Sequence, residues 1–316
     1  MDNSFIKKKK IIITGGNSRF AQSLKKYLKG KNIIYTTKKE LDILDNNSIK
    51  LCINKYKPKY LIHLASLSRP MDIHEKNINL SIDANIIGTA NIVKSCSNNN
   101  IKLIYFSSNY VYPGNRGDYK EDDSLKPINN YAWSKLGGES SVMLYKKSLI
   151  LRLAMSEKPF VHNEAFTDAK SNFLYRDDVA KLIPRLLDYN GIINIGSKKV
   201  ESIYDFAKKT KFNVKPVSVE KVSYFPKDSS INIEKLKLLL EKKNGKKNPD
   251  NKSPKVIYSA GPSITQVERE LVDNMMKYGW DNYGYVEKFE KEFANYHKRK
   301  FCLMTPSCTM AIYLSL

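Results

Sequence analysis

Four β-branched residues, Ile11-Ile12-Ile13-Thr14, run directly into Gly15-Gly16, and apolar residues then recur at helical spacing over residues 20–28. Strand, glycine turn and helix in that order commit a chain to a narrow set of folds, and the rest of the sequence keeps to it. Short apolar runs at 32–36, 60–65, 102–107, 148–153 and 192–195 read as strands. Helical patterns lie between them, around 49–56, 85–95 and 131–145, with further helices opening at 174–180 and over 202–210. Two acidic residues, Asp177 and Asp178, favour a helix N-terminus in the first of these last two. Such alternation predicts an α/β fold, a doubly wound parallel sheet of Rossmann type with helices on both faces. Ligands on these sheets bind beyond the carboxyl ends of the strands. Gly15, Ala65, Ser108 and the segment after Arg152 all fall at such ends and are expected to converge on one cleft.

Charge narrows the partners. The chain of 316 residues carries a formal net charge of +22. A basic surface can serve nucleic acid, an anionic membrane or small anions. Here the lysines are spread through the whole sequence, and the densest clusters, 7–10 and 241–255, are a terminus and a linker-like stretch. No nucleic-acid partner is expected, and the surface reads as a solvated one that attracts negatively charged substrates. No stretch approaches ~20 apolar residues, so no membrane partner is expected. Cys52, Cys96, Cys302 and Cys308 lack metal or redox spacing and read as reduced thiols of a cytoplasmic protein. Four scattered histidines support no metal site.

The chemistry-bearing residues come as a constellation. Tyr131 and Lys135 are four apart on a helix and share a face. An ammonium near a phenol favours the phenolate, making a tyrosine a usable proton donor or acceptor near neutral pH. Ser108, at the end of a separate strand, is placed to hydrogen-bond a reacting carbonyl. Tyr-x-x-x-Lys alone is weak in a chain with 20 Tyr. The serine upstream and the glycine turn before it, in this order, give it weight. That turn, at Thr14, Gly15 and Gly16, is where backbone N–H groups can meet a pyrophosphate.

With these residues, 9 to about 240 resembles an extended short-chain dehydrogenase/reductase acting on nucleotide sugars. The family's Thr-Gly-x-x-Gly-x-x-Gly loop falls on Thr14 to Ala21, with Gly15 matched and Ser18 and Ala21 replacing the later glycines. The resemblance implies a cofactor site of Thr14, Gly15, Gly16, Ser18, Arg19, Phe20, Asp42, Ile43, Ala65 and Lys135, with Asp42-Ile43 near the adenine and Ala65 near the nicotinamide ribose. It implies a catalytic group of Ser108, Tyr131 and Lys135. Asn85 and Arg176 are candidate substrate contacts. The second strand ends Tyr35-Thr36-Thr37-Lys38-Lys39, without the acid that would repel a 2′-phosphate, and Arg19 sits in the loop. Hydroxyls and cations suit a phosphate, so NADP(H) is favoured over NAD(H). Ser107-Ser108-Asn109-Tyr110-Val111-Tyr112 resembles the corresponding run of dTDP-4-dehydrorhamnose reductases, as does Ser230 to Leu236. His63-Leu64-Ala65 fits the 4-epimerases equally well. The reading is therefore NADPH-dependent reduction of a 4-keto nucleotide sugar, with an NAD-dependent epimerase and a non-catalytic nucleotide-binding protein as the alternatives. A homodimer is left open.

The polar, Gly- and Pro-broken stretch 242–253 reads as a linker after a domain over 1–241. Beyond it, 254–316 resembles the opening of a pyridoxal-phosphate-dependent sugar aminotransferase of the DegT/DnrJ/EryC type. Its phosphate-cupping segment matches Ser307 and Thr309. The Schiff-base lysine of that family lies further along than Leu316, so neither transaminase activity nor bound pyridoxal phosphate is expected of this incomplete α/β segment. The resemblance also leaves only a small substrate-binding lobe in the first domain.

Overall fold

The computed structural model describes residues 9–222, 224–242 and 284–302, and the chain divides into two units, residues 1–248 and 249–316. The first unit is built on a six-stranded, wholly parallel sheet. Its strands are β1 (Ile11–Thr14), β2 (Ile33–Tyr35), β3 (Tyr60–His63), β4 (Lys102–Ser108), β5 (Ser148–Leu153) and β10 (Gly191–Ile195), in the order β10-β5-β4-β3-β1-β2. The chain winds outward from β1 to β2, then returns to β3 on the other side of β1. The direction reverses between β1 and β3, which is where a doubly wound sheet opens its ligand crevice.

The burial of β1 explains why its sequence is so insistent. Ile11 and Ile13 enter one core with Leu24, Ile62, Leu151 and Ile183, while Ile12 enters the opposite core with Ile49, Leu61, Ile92 and Val142. A strand covered on both faces needs apolar residues at every position rather than at alternate ones. The helices that cover it are α1 (Arg19–Leu24), α2 (Asn46–Tyr56), α3 (Gly88–Asn98), α4 (Asn130–Met143) and α5 (Arg176–Leu186).

Two helices differ from expectation. The pattern over 20–28 forms a helix only to Leu24 and continues as turns, although Leu28 remains fully buried. The pattern over 85–95 begins earlier, with a π-helical segment Ile82–Ile87 leading into α3. Helix α4 packs against that segment at Gly138, where a Cβ would lie 2.3 Å from the Asn85 carbonyl oxygen. Only glycine lets the two backbones approach this closely.

The lobe beside the sheet is made of very short strands. Two- and three-residue segments pair as β6 (Met155–Ser156) with β9 (Leu174–Tyr175), β7 (Glu164–Phe166) with β12 (Lys215–Val217), and β8 (Lys170–Ser171) with β11 (Glu201–Ser202). Met155 and Leu174 of the first pair pack on the core of the large sheet, while the other two pairs adjoin a separate apolar cluster that includes Phe160, Ala165, Ile203 and Val214. In the second unit, a helix over Gly284–Tyr296 is described, in which Phe289 and Phe293 stack at 5.4 Å and are both exposed. Ser307 and Thr309 lie outside the described residues. Among the described residues no helix is long and apolar enough to cross a membrane.

Candidate active site

Strand β4 ends at Ser108, whose hydroxyl accepts from the Tyr110 amide at 3.2 Å. Helix α4 begins one residue before Tyr131, capped by the Asn129 side chain accepting from the Ala132 amide at 2.8 Å. These two termini bring the Ser108 hydroxyl close to the Tyr131 phenol. Part of Tyr131 remains accessible, yet burial of the phenol raises it above the ordinary tyrosine value; the nearby Ser108 hydroxyl and the charge of Arg69 draw it back only in part. Lys135 was expected to do that work. Its ammonium instead sits over the Tyr105 ring, 4.5 Å from the centroid, and burial lowers it to about 7 against the opposing pull of Glu139.

The glycine turn and helix α4 are joined by a buried polar chain. Thr14 Oγ1 accepts from the Leu64 and Ala65 amides, both at 3.1 Å, so its own proton goes to His63 Nδ1 at 2.8 Å. His63 therefore carries its proton on Nε2, facing Thr89 Oγ1 at 3.2 Å. Thr89 lies close to the Tyr105 hydroxyl, which donates to the Lys135 carbonyl at 3.0 Å. Burial, aided by the charge of Lys135, lowers His63 to about 3 and keeps the ring neutral. The same turn explains Gly15: its φ is +64°, and a Cβ there would lie 2.8 Å from the Ala65 amide nitrogen.

A second buried network lies under Ser108. Glu139 Oε1 accepts from Arg152 Nε at 3.0 Å and Nη2 at 2.6 Å, while Ser107 donates to Glu139 Oε2 at 2.5 Å. Arg152 Nη1 donates to the Tyr112 hydroxyl at 2.7 Å and to the Glu121 carbonyl at 2.9 Å. Sequence reasoning gave none of these a role. The signal was a lone arginine inside the apolar run Leu149-Ile150-Leu151-Arg152-Leu153, which requires a buried partner.

Several candidate residues are placed otherwise than expected. Asn85 is fully buried; its Oδ1 accepts from the Leu67 amide at 2.8 Å, and its Nδ2 donates to the Leu67 carbonyl and Ser134 Oγ. Its polar atoms bracket a loop to α4 rather than face a substrate. Ile43 and Phe20 are core residues, Phe20 lying 5.0 Å from the Phe106 ring. Asp42 shapes its own loop, accepting from the Leu44 amide at 3.0 Å, with Lys38 at 3.7 Å. Ser18 caps α1, its Oγ accepting from the Ala21 amide at 3.2 Å. Arg19 and Arg176 both pair with Glu157, a residue the sequence reading did not single out. Glu157 follows β6, and the ion pair that Arg19 makes goes to it rather than to the 36–39 segment. Among the described residues no cluster of His, Cys, Asp or Glu suits a metal.

Residues 9–163 match the family described as RmlD substrate binding domain, and residues 262–316 match the DegT/DnrJ/EryC1/StrS aminotransferase family. The methionine adenosyltransferase 2 subunit beta of Xenopus laevis is 37% identical over 103 residues, 33% of this chain and 30% of that protein. The chain thus spans under a third of the length of that curated relative. The dTDP-4-dehydrorhamnose reductase of Aggregatibacter actinomycetemcomitans is 27% identical over 159 residues, 49% of this chain and 54% of the relative. The crystal structure of dTDP-4-dehydrorhamnose reductase from Bacillus anthracis in complex with NADP superposes with a TM-score of 0.67 at 28% identity, covering 73% of this chain and 92% of that one. The first unit is dTDP-4-dehydrorhamnose reductase-like in sequence and fold.

Proposed function

We propose that the first unit is a cytoplasmic nicotinamide-dependent reductase of a 4-keto nucleotide sugar, with NADPH as the preferred donor. The observation that carries this reading is the approach of Ser108, at the end of β4, to the Tyr131 phenol at the start of α4, with Lys135 one helical turn on. The residues present fit a dinucleotide: the Gly15 turn at positive φ presses against Ala65, and Ser18 and Ala21 keep the backbone of the next helix close. Thr14, Gly15, Gly16, Ser18 and Ala65 would hold it. When bound, it supplies a hydride to a carbonyl carbon.

The chain's own residues do the rest. Tyr131 holds, at its phenol oxygen, the proton a reduced carbonyl oxygen takes up. Ser108 orients that phenol and offers a hydrogen bond to the same carbonyl oxygen. A phenol raised by burial is protonated at neutral pH, the state a donor requires. Lys135 is assigned to the nicotinamide ribose. With Arg19 paired to Glu157, Thr36 Oγ1 donating to the Ile13 carbonyl and Thr37 Oγ1 donating to Glu40, Lys39 is the residue left to favour NADPH.

A second reading follows from the relative named as a subunit of another enzyme: a fold used for nucleotide binding without turnover, an outcome the same assay separates. The full chain is mixed with NADPH or NADH and dTDP-4-keto-6-deoxyglucose, and nicotinamide absorbance is followed. Consumption of NADPH that falls by about 10²–10⁴ in Tyr131→Phe supports the reductase. No consumption, with NAD retained through purification, favours the epimerase; binding of nucleotide without turnover favours the non-catalytic subunit.

A further inference from the structure

Three guanidinium groups from distant parts of the chain meet one carboxylate. Ser156 pairs with Tyr175 in the β6–β9 ladder, so the next residues, Glu157 and Arg176, leave it side by side. Arg19 Nη1 donates to Glu157 Oε1 at 2.9 Å, and Arg176 Nη2 reaches the same oxygen. Arg69 Nη1 lies 3.1 Å from Oε2, yet Oε2 is buried without an aligned donor, so this contact is ionic only. Burial alone would raise the Glu157 carboxyl; the Arg19 hydrogen bond and the charges of Arg69 and Arg176 outweigh it and hold it below its ordinary value.

The charges do not balance. All the ion pairs these arginines make among the described residues go to Glu157, so three positive charges face one negative charge. Neighbouring groups do not correct this. Lys26 and Asp177 neutralise each other at 2.5 Å, and His162 is lowered by burial and by the charge of Arg69. Guanidinium forks match the oxygens of phosphates in pairs, and a diphosphate brings the second negative charge that a carboxylate lacks. The Glu157 side chain is 9% exposed, whereas Arg19 and Arg69 are 67% and 40% exposed, so the donors can be reached from solvent. Arg69 is also near enough to Tyr131 to lower its phenol, which ties the cluster to the reacting end of the crevice.

We propose that Glu157 is an internal stand-in for a diphosphate. It holds Arg19, Arg69 and Arg176 assembled and yields them to the diphosphate of a nucleotide ligand, discriminating against ligands that lack one. The inference rests on the reading above only in taking that ligand to be a nucleotide. The same chemistry can come from the dinucleotide or from a nucleotide sugar.

Calorimetric titration of the full chain with inorganic pyrophosphate, dTDP and NADPH tests it, alongside melting temperatures. Glu157→Gln keeps the shape and removes the competing charge; it is expected to bind pyrophosphate about tenfold more tightly, and Arg69→Gln about tenfold more weakly. A change that extends to dTDP alone assigns the clasp to the sugar nucleotide, and one that extends to NADPH alone assigns it to the dinucleotide. Unchanged or weaker pyrophosphate binding by folded Glu157→Gln overturns the proposal. Should that variant not fold, Arg69→Gln decides, and unchanged affinity there overturns it. Turnover is not needed for any of these readings, so a clasp that behaves as expected in a protein without reductase activity would sink the reductase and leave the clasp standing.

Discussion

Two arginine–glutamate assemblies stand in the same unit and handle charge in contrary ways. Arg152 and Glu139 are 2% and 0% exposed, matched one to one, with Tyr112, Ser107 and a carbonyl taking up further donors and acceptors. Glu157 is as anionic as Glu139 but faces three arginines that solvent can reach. The first arrangement fixes geometry, because every group has a partner and any departure leaves a buried charge alone. The second leaves donors over, and surplus donors are what an incoming anion needs. Scaffolding and reception use the same two residue types and differ in stoichiometry and burial.

The comparison breaks most visibly at Glu139. Glu139→Gln is expected to cost about 3–5 kcal/mol in urea denaturation, since it strands the Arg152 charge in the core; a loss below about 1 kcal/mol would mean the pair is not the fixed element described. Next comes Thr14→Val, which leaves the Leu64 and Ala65 amides without their acceptor. We expect a loss of about 1–3 kcal/mol and a raised apparent KM for the dinucleotide, with kcat changing less. An unaltered KM would separate the polar chain from the cofactor turn.

A pH test sharpens the contrast further. His63 is held at about 3 against an ordinary 6.5, so the folded protein refuses a proton that the unfolded chain accepts. Its contribution is fully present above pH 6.5 and is lost as pH falls toward 3. The slope is at most about 1.4 kcal/mol per pH unit, and His63→Gln should flatten that acid limb. Identical limbs in the two proteins would show that His63 takes up its proton freely. The smallest effect is expected at Arg19. Its ion pair is largely exposed on the arginine side, and Arg19→Ala should change the unfolding free energy by less than about 1 kcal/mol. A cost near that of Glu139→Gln would erase the distinction between the two assemblies.

The sheet and the reacting residues were legible in the sequence because their signals are local. A strand buried on both faces is apolar throughout, as in Ile11-Ile12-Ile13, and Tyr131 and Lys135 are neighbours by helical geometry alone. The strands of the lobe were not legible, since strands of two or three residues have no period to detect. Nor was the clasp: Arg19, Arg69, Glu157 and Arg176 are brought together only by the order of the strands. Sequence gives the charge of Arg19 and not its direction, and so it was read toward β2 when it turns toward Glu157. Asn85 was misjudged for a related reason. A polar residue in a helix looks alike whether it faces a ligand or, as here, ties down the loop at Leu67.

The tautomer imposed on His63 makes it a reporter of its own surroundings. With Nδ1 accepting from Thr14 and Nε2 carrying the proton, the two ring nitrogens are chemically distinct and would give widely separated ¹⁵N resonances. Any ligand that drew Thr14 away from the ring would free the tautomers to exchange and merge those signals. The occupancy of the glycine turn could thus be watched spectroscopically from a side chain buried beneath it.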